Sequence, residues 1–414
     1  MLRVIDKADV KGKRILVRVD YNVPLNKGGS ISNDERIRES LETIRYLVKK
    51  KGRVILISHL GRPDGRVVEE LRLDRVAERL SRLIHMPARK IDTSIGREAE
   101  EAAASLKPGS IMMLENIRFY PGEEENDKAF SSGLARLGDI YVNDAFSVSH
   151  RSHASTLGVA RLLPGYAGLQ LAREVGFLSR AVENPKRPLM VIMGGSKISD
   201  KIKAIEHMMG IADYVLLGGA LANTVLKAAG KGVGKSLVEE SAIDCAKGIL
   251  EKASRGSCAR LVLPLDLSAA TRAEADAEVK TINLETSSIP KGMMSLDIGP
   301  ETVKLFSSII KKAKTVIWNG PVGMFEIDPF ARGSIAIAKA IASLKVKALT
   351  IAGGGETIAA LAKAGKKAEK GFTHISTGGG AMLTFLEGAE MPPISILSLT
   401  GKGEHDVDNH QRQE

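Results

Sequence analysis

Apolar runs of strand length recur along the whole chain, most of them followed by a polar or amphipathic stretch of helical length. No other feature restricts the fold as much. The runs lie at 14–22, 53–59, 111–118 and 139–143, then at 188–193, 212–217, 259–265, 315–318, 348–352 and 373–376. They are apolar almost throughout instead of alternating with polar residues, so both faces of each strand expect cover. Helical stretches such as 37–51 and 71–84 supply that cover. Strands separated by helices give parallel sheets with helices on both faces.

A chain of 414 residues has material for two such layers of core. Residues 165–168 close the first series. An amphipathic stretch at 171–183 follows, and Asn184-Pro185-Lys186-Arg187-Pro188 breaks it. The expected fold class is therefore α/β: two Rossmann-like domains joined by a hinge helix. The expected division is 1–170, a connecting helix or hinge at 171–188, a second domain at 189–390, and a polar segment at 391–414 that is mobile at its end. Residues 171–183 and 294–300 are the candidate hinges.

Ligands of open parallel sheets bind beyond the carboxyl ends of the strands, and there the sequence turns from apolar to chemically equipped. In the first half, Asp20 and Asn22, Ser58-His59-Leu60-Gly61-Arg62, Arg118, and His150-Arg151 follow successive runs, with Arg36 nearby. A guanidinium is a planar fork that matches carboxylate and phosphate oxygens. One such arginine is ordinary surface; the same loop position filled in several consecutive units suggests a single small polyanion.

The second half offers glycine instead of cations. Gly194-Gly195-Ser196-Lys197-Ile198-Ser199-Asp200-Lys201 follows a strand run and reads as the opening of a helix, with Lys197 and Lys201 on one helical face. Gly353-Gly354-Gly355-Glu356-Thr357 and Thr377-Gly378-Gly379-Gly380 repeat the strand, glycine run and helix arrangement. Glycines let backbone N–H groups approach phosphate oxygens at a helix N-terminus, and Glu356 could reach a magnesium ion. Ala229-Gly230-Lys231-Gly232-Val233-Gly234-Lys235-Ser236 misses a P-loop by one residue and follows a helical run, so it reads as a helix-terminating loop.

The net charge of +11 fits either nucleic acid or a strongly anionic small substrate. Aromatic residues at 4% and scattered arginines favour the substrate, so no nucleic-acid partner is expected. No apolar run is long enough for a membrane span, and the opening residues carry no apolar signal core. Two cysteines, Cys245 and Cys258, form no metal-binding pattern and suit a reducing cytoplasm.

Taken together these segments resemble phosphoglycerate kinases, in register from about residue 3 to about residue 400. The resemblance rests on Arg18-Val19-Asp20-Tyr21-Asn22-Val23-Pro24, Ser58-His59-Leu60-Gly61-Arg62-Pro63 and Leu114-Glu115-Asn116-Ile117-Arg118-Phe119. It continues through Asn143-Asp144-Ala145-Phe146, His150-Arg151, 194–201, Trp318-Asn319-Gly320-Pro321-Val322-Gly323-Met324-Phe325-Glu326 and both late glycine runs.

It implies transfer of a phosphoryl group between 1,3-bisphosphoglycerate and ADP, giving 3-phosphoglycerate and ATP, with Mg2+, by closure of two domains. By the same resemblance Asp20, Asn22, Arg36, His59, Leu60, Gly61, Arg62, Arg118 and Arg151 hold the glycerate. Gly195, Lys201, Gly219, Asn319, Pro321, Glu326, Gly353, Gly354, Gly355, Glu356 and Thr357 hold the nucleotide. Arg36, Lys197, Gly378 and Gly379 attend the transferring group, and Glu356 serves the metal, directly or through water.

Glu356 stands where the family commonly has Asp, so the metal contact or metal preference is expected to differ. A binding protein that has lost catalysis is the alternative reading. A cytoplasmic monomer is expected, with a dimer as the alternative.

Overall fold

The computed structural model describes residues 1–256 and 259–399. The described chain divides into two compact units, one of Met1–Val175 with residues 390–399, the other of Gly176–Ala389. The expected mobility of the final dozen residues falls outside the described residues, as does Cys258.

In the first unit β1 (Arg14–Arg18), β2 (Arg53–Ile57), β3 (Ala88–Lys90), β4 (Ile111–Met113), β5 (Ile140–Asn143) and β6 (Gly165–Ala167) form one sheet in the order β3-β4-β2-β1-β5-β6. Every pairing is parallel. Successive residues feed opposite faces: Ile15, Val17, Val54 and Leu56 join one core, while Leu16, Ile55, Ile57 and Met112 join another. Cover on both faces is what near-continuous apolar strands require.

The helix Glu35–Lys49 supplies part of that cover through Ile37, Leu41, Ile44 and Leu47, spaced so that one stripe is buried. Each such side chain contributes about 1.5–3 kcal/mol of burial. The chain returns to this unit at its other end, where the Arg3 N–H donates to the Leu397 carbonyl at 2.8 Å.

The second unit holds β7 (Leu189–Met193), β8 (Tyr214–Leu217), β9 (Arg260–Val262), β10 (Asp266–Ala270), β11 (Lys280–Asn283), β12 (Met294–Ile298), β13 (Thr315–Asn319), β14 (Leu349–Gly353) and β15 (His374–Ser376). Six of them make a parallel sheet in the order β15-β14-β13-β7-β8-β9. The other three make a separate antiparallel sheet, β11-β10-β12, which the sequence reading did not foresee. Residues 294–300, read as a candidate hinge, are β12 and the start of the helix Pro300–Ile310.

Candidate functional site

In both parallel sheets the chain starts in the middle and later crosses back. β1 lies between β2 and β5, and β7 between β8 and β13. Loops leaving the carboxyl ends of such central strands diverge and open a crevice. In each unit the candidate residues lie on those loops.

After β1 the chain carries Asp20 and Asn22. The Asp20 carboxylate receives Arg36 Nη1 at 2.5 Å, the Asn22 N–H at 3.0 Å, and the Ser147 hydroxyl from beyond β5. Burial works to raise the Asp20 pKa, but the Arg36 guanidinium and the hydrogen bonds from Ser147 and Asn22 outweigh it and hold it below the usual carboxylate range. Asn22 Oδ1 accepts the Gly61 N–H at 2.9 Å, which ties the loop after β1 to the loop after β2. Gly61 has φ of 65°, a left-handed conformation that favours glycine.

Arg118, on the loop after β4, is buried and donates to the Gly61 carbonyl at 2.9 Å and to Glu124 at 3.0 Å. Leu60 is buried, its carbonyl held by Asn116. Arg151 is half-buried beside His150 at 3.3 Å. Arg62 is exposed and makes no hydrogen bond or ion pair among the described residues.

His59 departs from the cationic reading. Burial and then the Arg18 guanidinium, helped by Arg118 and Arg36, push its pKa well below 6.5 against the pull of Asp20. The ring is neutral at physiological pH. Its neighbour Arg18, fully buried and 3.2 Å away from Nδ1, was not singled out from the sequence.

In the second unit, loops after β7, β8, β13 and β14 interlock through backbone. Gly194 N–H donates to the Asn319 carbonyl at 3.1 Å, Gly195 N–H to Pro321 at 2.9 Å, and Gly219 N–H to Val322 at 2.9 Å. Asn319 Nδ2 donates to the Gly353 carbonyl at 3.1 Å, and the Gly320 N–H to Thr357 Oγ1 at 2.6 Å. The helix Gly355–Ala364 starts directly at the glycine run, capped by Gly354 at φ of 100°. Gly378 is the N-cap of Gly379–Leu386, at an ordinary negative φ, and a Cβ on Gly379 would lie 3.1 Å from the Gly354 Cα. The two late glycine runs therefore meet backbone to backbone.

One expectation fails here. The helix after β7 begins at Ile202, so Lys197 and Lys201 do not share a helical face. Glu239 accepts the Ile198 and Ser199 N–H groups at 2.9 and 3.0 Å, which satisfies them outside a helix. Lys197 is exposed on this loop. Lys201 turns inward and donates to the Gly194 carbonyl at 2.7 Å and to Asn319 at 3.3 Å. Burial lowers its pKa to about 8, although Glu356 and Asp200 oppose the shift. The P-loop look-alike at 229–236 follows the helix Gly219–Ala228, as a terminating loop does.

A cleft of about 230 Å³ opens among these loops, with Gly195, Gly219, Pro321, Glu326 and Glu356 in its wall. Its apolar lining includes Leu237, Leu267, Leu296, Val322 and Met324, two of them from the unforeseen antiparallel sheet. The missed signal was the alternation Met294-Ser295-Leu296-Asp297-Ile298, a period of two.

Comparison with known proteins agrees with this architecture. The family model of phosphoglycerate kinase matches residues 5–389. A phosphoglycerate kinase of Prosthecochloris aestuarii is 50% identical over 96% of this chain and 99% of its own. One of Rubrobacter xylanophilus is 48% identical over 95% and 98%. Among solved structures, phosphoglycerate kinase from Coxiella burnetii superposes with a TM-score of 0.87 at 38% identity, covering 96% of this chain and 99% of that one. The Pyrococcus horikoshii enzyme gives 0.82 at 33% identity, covering 96% and 98%.

Fold and relatives define a phosphotransferase built from two parallel-sheet units. The chain belongs to the phosphoglycerate kinase family, and its role is in glycolysis. No helix among the described residues is long and apolar enough to cross a membrane.

Proposed function

We propose that the first unit binds 3-phosphoglycerate or 1,3-bisphosphoglycerate and the second binds ATP or ADP. The observation that carries this reading is a division of labour. Guanidinium groups gather at the strand ends of the first sheet, and glycine-bounded backbone gathers at those of the second. Asp20, Asn22, Arg36, His59, Leu60, Gly61, Arg62, Arg118 and Arg151 serve the glycerate. Gly195, Lys201, Gly219, Asn319, Pro321, Glu326 and 353–357 serve the nucleotide.

In the ATP-consuming direction the glycerate carboxylate oxygen attacks the γ-phosphorus and the bond to the β–γ bridging oxygen breaks. An acyl phosphate forms and ADP leaves. A carboxylate with pKa near about 4 is already ionised, so no general base is needed. Catalysis then consists of positioning and of neutralising charge on the equatorial oxygens. Arg36, Lys197 and the helix start at Gly378 and Gly379 are the groups assigned to it.

Magnesium usually takes one or two carboxylates plus substrate phosphates. Glu356, in the first turn of Gly355–Ala364 and in the cleft wall, fits that modest requirement. When bound, the ion neutralises phosphate charge.

The two ligands belong to different units, so transfer requires them to be brought together with water excluded. A scattering profile that is the same with and without both ligands would count against closure. Cytoplasmic location and a monomeric state complete the reading.

The deciding experiment is a coupled assay of turnover dependent on ATP and 3-phosphoglycerate, with magnesium and then manganese. Turnover of about 10 per second or more supports the kinase and shows which metal Glu356 prefers. Binding of both ligands without turnover in either metal overturns it.

A further inference from the structure

Arg18 is fully buried at the end of β1, yet nothing in the reaction described above uses it. A buried guanidinium is costly unless its donors are satisfied. Here each of its three nitrogens has an acceptor. Its Nε–H donates to Ser155 Oγ at 2.8 Å, and that hydroxyl donates to the buried Glu123 carboxylate at 2.6 Å. A second nitrogen donates to the Val19 carbonyl. The third, Nη2, lies 3.2 Å from Nδ1 of His59.

An arginine nitrogen is always a donor, so Nδ1 of His59 can only accept. An imidazole that accepts at Nδ1 carries its single proton on Nε2. Protonating Nδ1 would replace a hydrogen bond with two N–H groups facing each other beside a permanent cation. The charged groups acting on the ring are Arg18, Asp20, Arg118 and Arg36; three of these four are cations and disfavour a second proton.

We propose that Arg18 is a positioning residue that fixes His59 as a neutral Nε2–H tautomer, so that His59 offers the glycerate ligand a donor instead of a charge. Glu123 and Ser155 hold Arg18 in register for this task. The guanidinium donates in both directions, to the Ser155 hydroxyl that itself donates to Glu123 and to the imidazole, so the carboxylate end anchors the arginine while Nη2 faces the ring. The inference rests on the reading of the first unit as the glycerate site.

The test is a long-range proton–nitrogen spectrum of the full chain with labelled histidine, with His59 assigned by its loss in His59→Gln. In the wild-type protein Nδ1 is expected to resonate as an unprotonated nitrogen and Nε2 as a protonated one. Neither should titrate between about pH 5 and 8. A protonated Nδ1, or a ring titrating near about 6.5, overturns the proposal without any variant.

In Arg18→Met the ring should populate both tautomers and titrate. The KM for 3-phosphoglycerate should rise about tenfold, the worth of one such hydrogen bond, with nucleotide affinity unchanged. An unaltered tautomer in that variant also overturns it. Where Arg18→Met does not fold, Ser155→Ala removes the Nε acceptor and the hydroxyl's bond to Glu123 while leaving Arg18 in place; the second tautomer should then appear in the same spectrum, and an unaltered tautomer overturns the anchoring role given to Ser155. Adding 3-phosphoglycerate separates the two claims: the tautomer is read in the free protein, and an Nε2 signal that ignores the ligand refutes the glycerate site itself.

Discussion

Arg36 Nη1 lies 2.5 Å from Asp20 Oδ2, with the aspartate side chain largely buried and the arginine about one-third exposed. The ion pair orients a guanidinium from the first turn of Glu35–Lys49, and among the described residues its other nitrogens make no hydrogen bond or ion pair. Arg36→Ala should lower kcat by about a thousandfold or more with little change in nucleotide affinity. Near-normal turnover would remove Arg36 from the mechanism.

The same variant should also alter acid stability. The Asp20 pKa is depressed in the folded state, so its contribution is complete above about pH 4 and disappears as pH falls through the lowered folded value. Without Arg36 that loss should begin at higher pH in an acid titration followed by circular dichroism.

Gly194 has no room for a side chain: a Cβ would lie 1.9 Å from the Pro321 carbonyl oxygen. The backbone of one nucleotide loop presses on the backbone of another, so no side-chain rearrangement relieves the clash. Gly194→Ala should weaken ADP binding by about tenfold or more, measured by calorimetry, and leave 3-phosphoglycerate binding nearly intact. Equal weakening of both ligands would mean that the loop packing supports more than the nucleotide site.

The parallel sheets were legible because strands such as Leu189–Met193 are buried at every position and leave a continuous apolar run. The strand-end residues were legible for the same reason, since the change to polar residues falls where each run stops. Ala88–Lys90 and Gly165–Ala167 escaped notice at three residues each, too short for any periodicity. The start of the helix after β7 was placed too early because the Ile198 and Ser199 N–H groups are satisfied by Glu239, some forty positions away in sequence, and not by a helix. Arg18 sat inside a quoted segment, but nothing local distinguishes a buried arginine from an exposed one; its partners Ser155 and His59 are distant in the chain.

Lys201 in the free protein has a pKa of about 8, lowered by burial. Nucleotide phosphates beside it would raise that value, so ADP binding should take up a proton where the free lysine is partly neutral. Calorimetry at about pH 8.5 in buffers of different ionisation heat reads the uptake directly. It should vanish in Lys201→Arg, whose guanidinium stays charged throughout. Absence of proton uptake in the wild-type protein would place the phosphates away from Lys201.

Asp144 is buried, and its Oδ1 accepts the Gln170 and Leu171 N–H groups at 2.9 and 3.2 Å. Gly168 presses against it, where a Cβ would lie 2.1 Å from that oxygen. Burial raises the carboxyl to about 7 despite these hydrogen bonds. The folded protein thus keeps a proton that the unfolded chain releases near about pH 4, and stability falls as pH rises from about 4 to 7. Asp144→Asn preserves the Oδ1 acceptor and removes the charge. The urea midpoint should then change less across that window, with a gain of about 1–3 kcal/mol over the wild type at about pH 8. A variant whose midpoint tracks the wild type at both pH values would show that Asp144 is ionised at little cost, and that its two backbone donors, not its burial, set its charge.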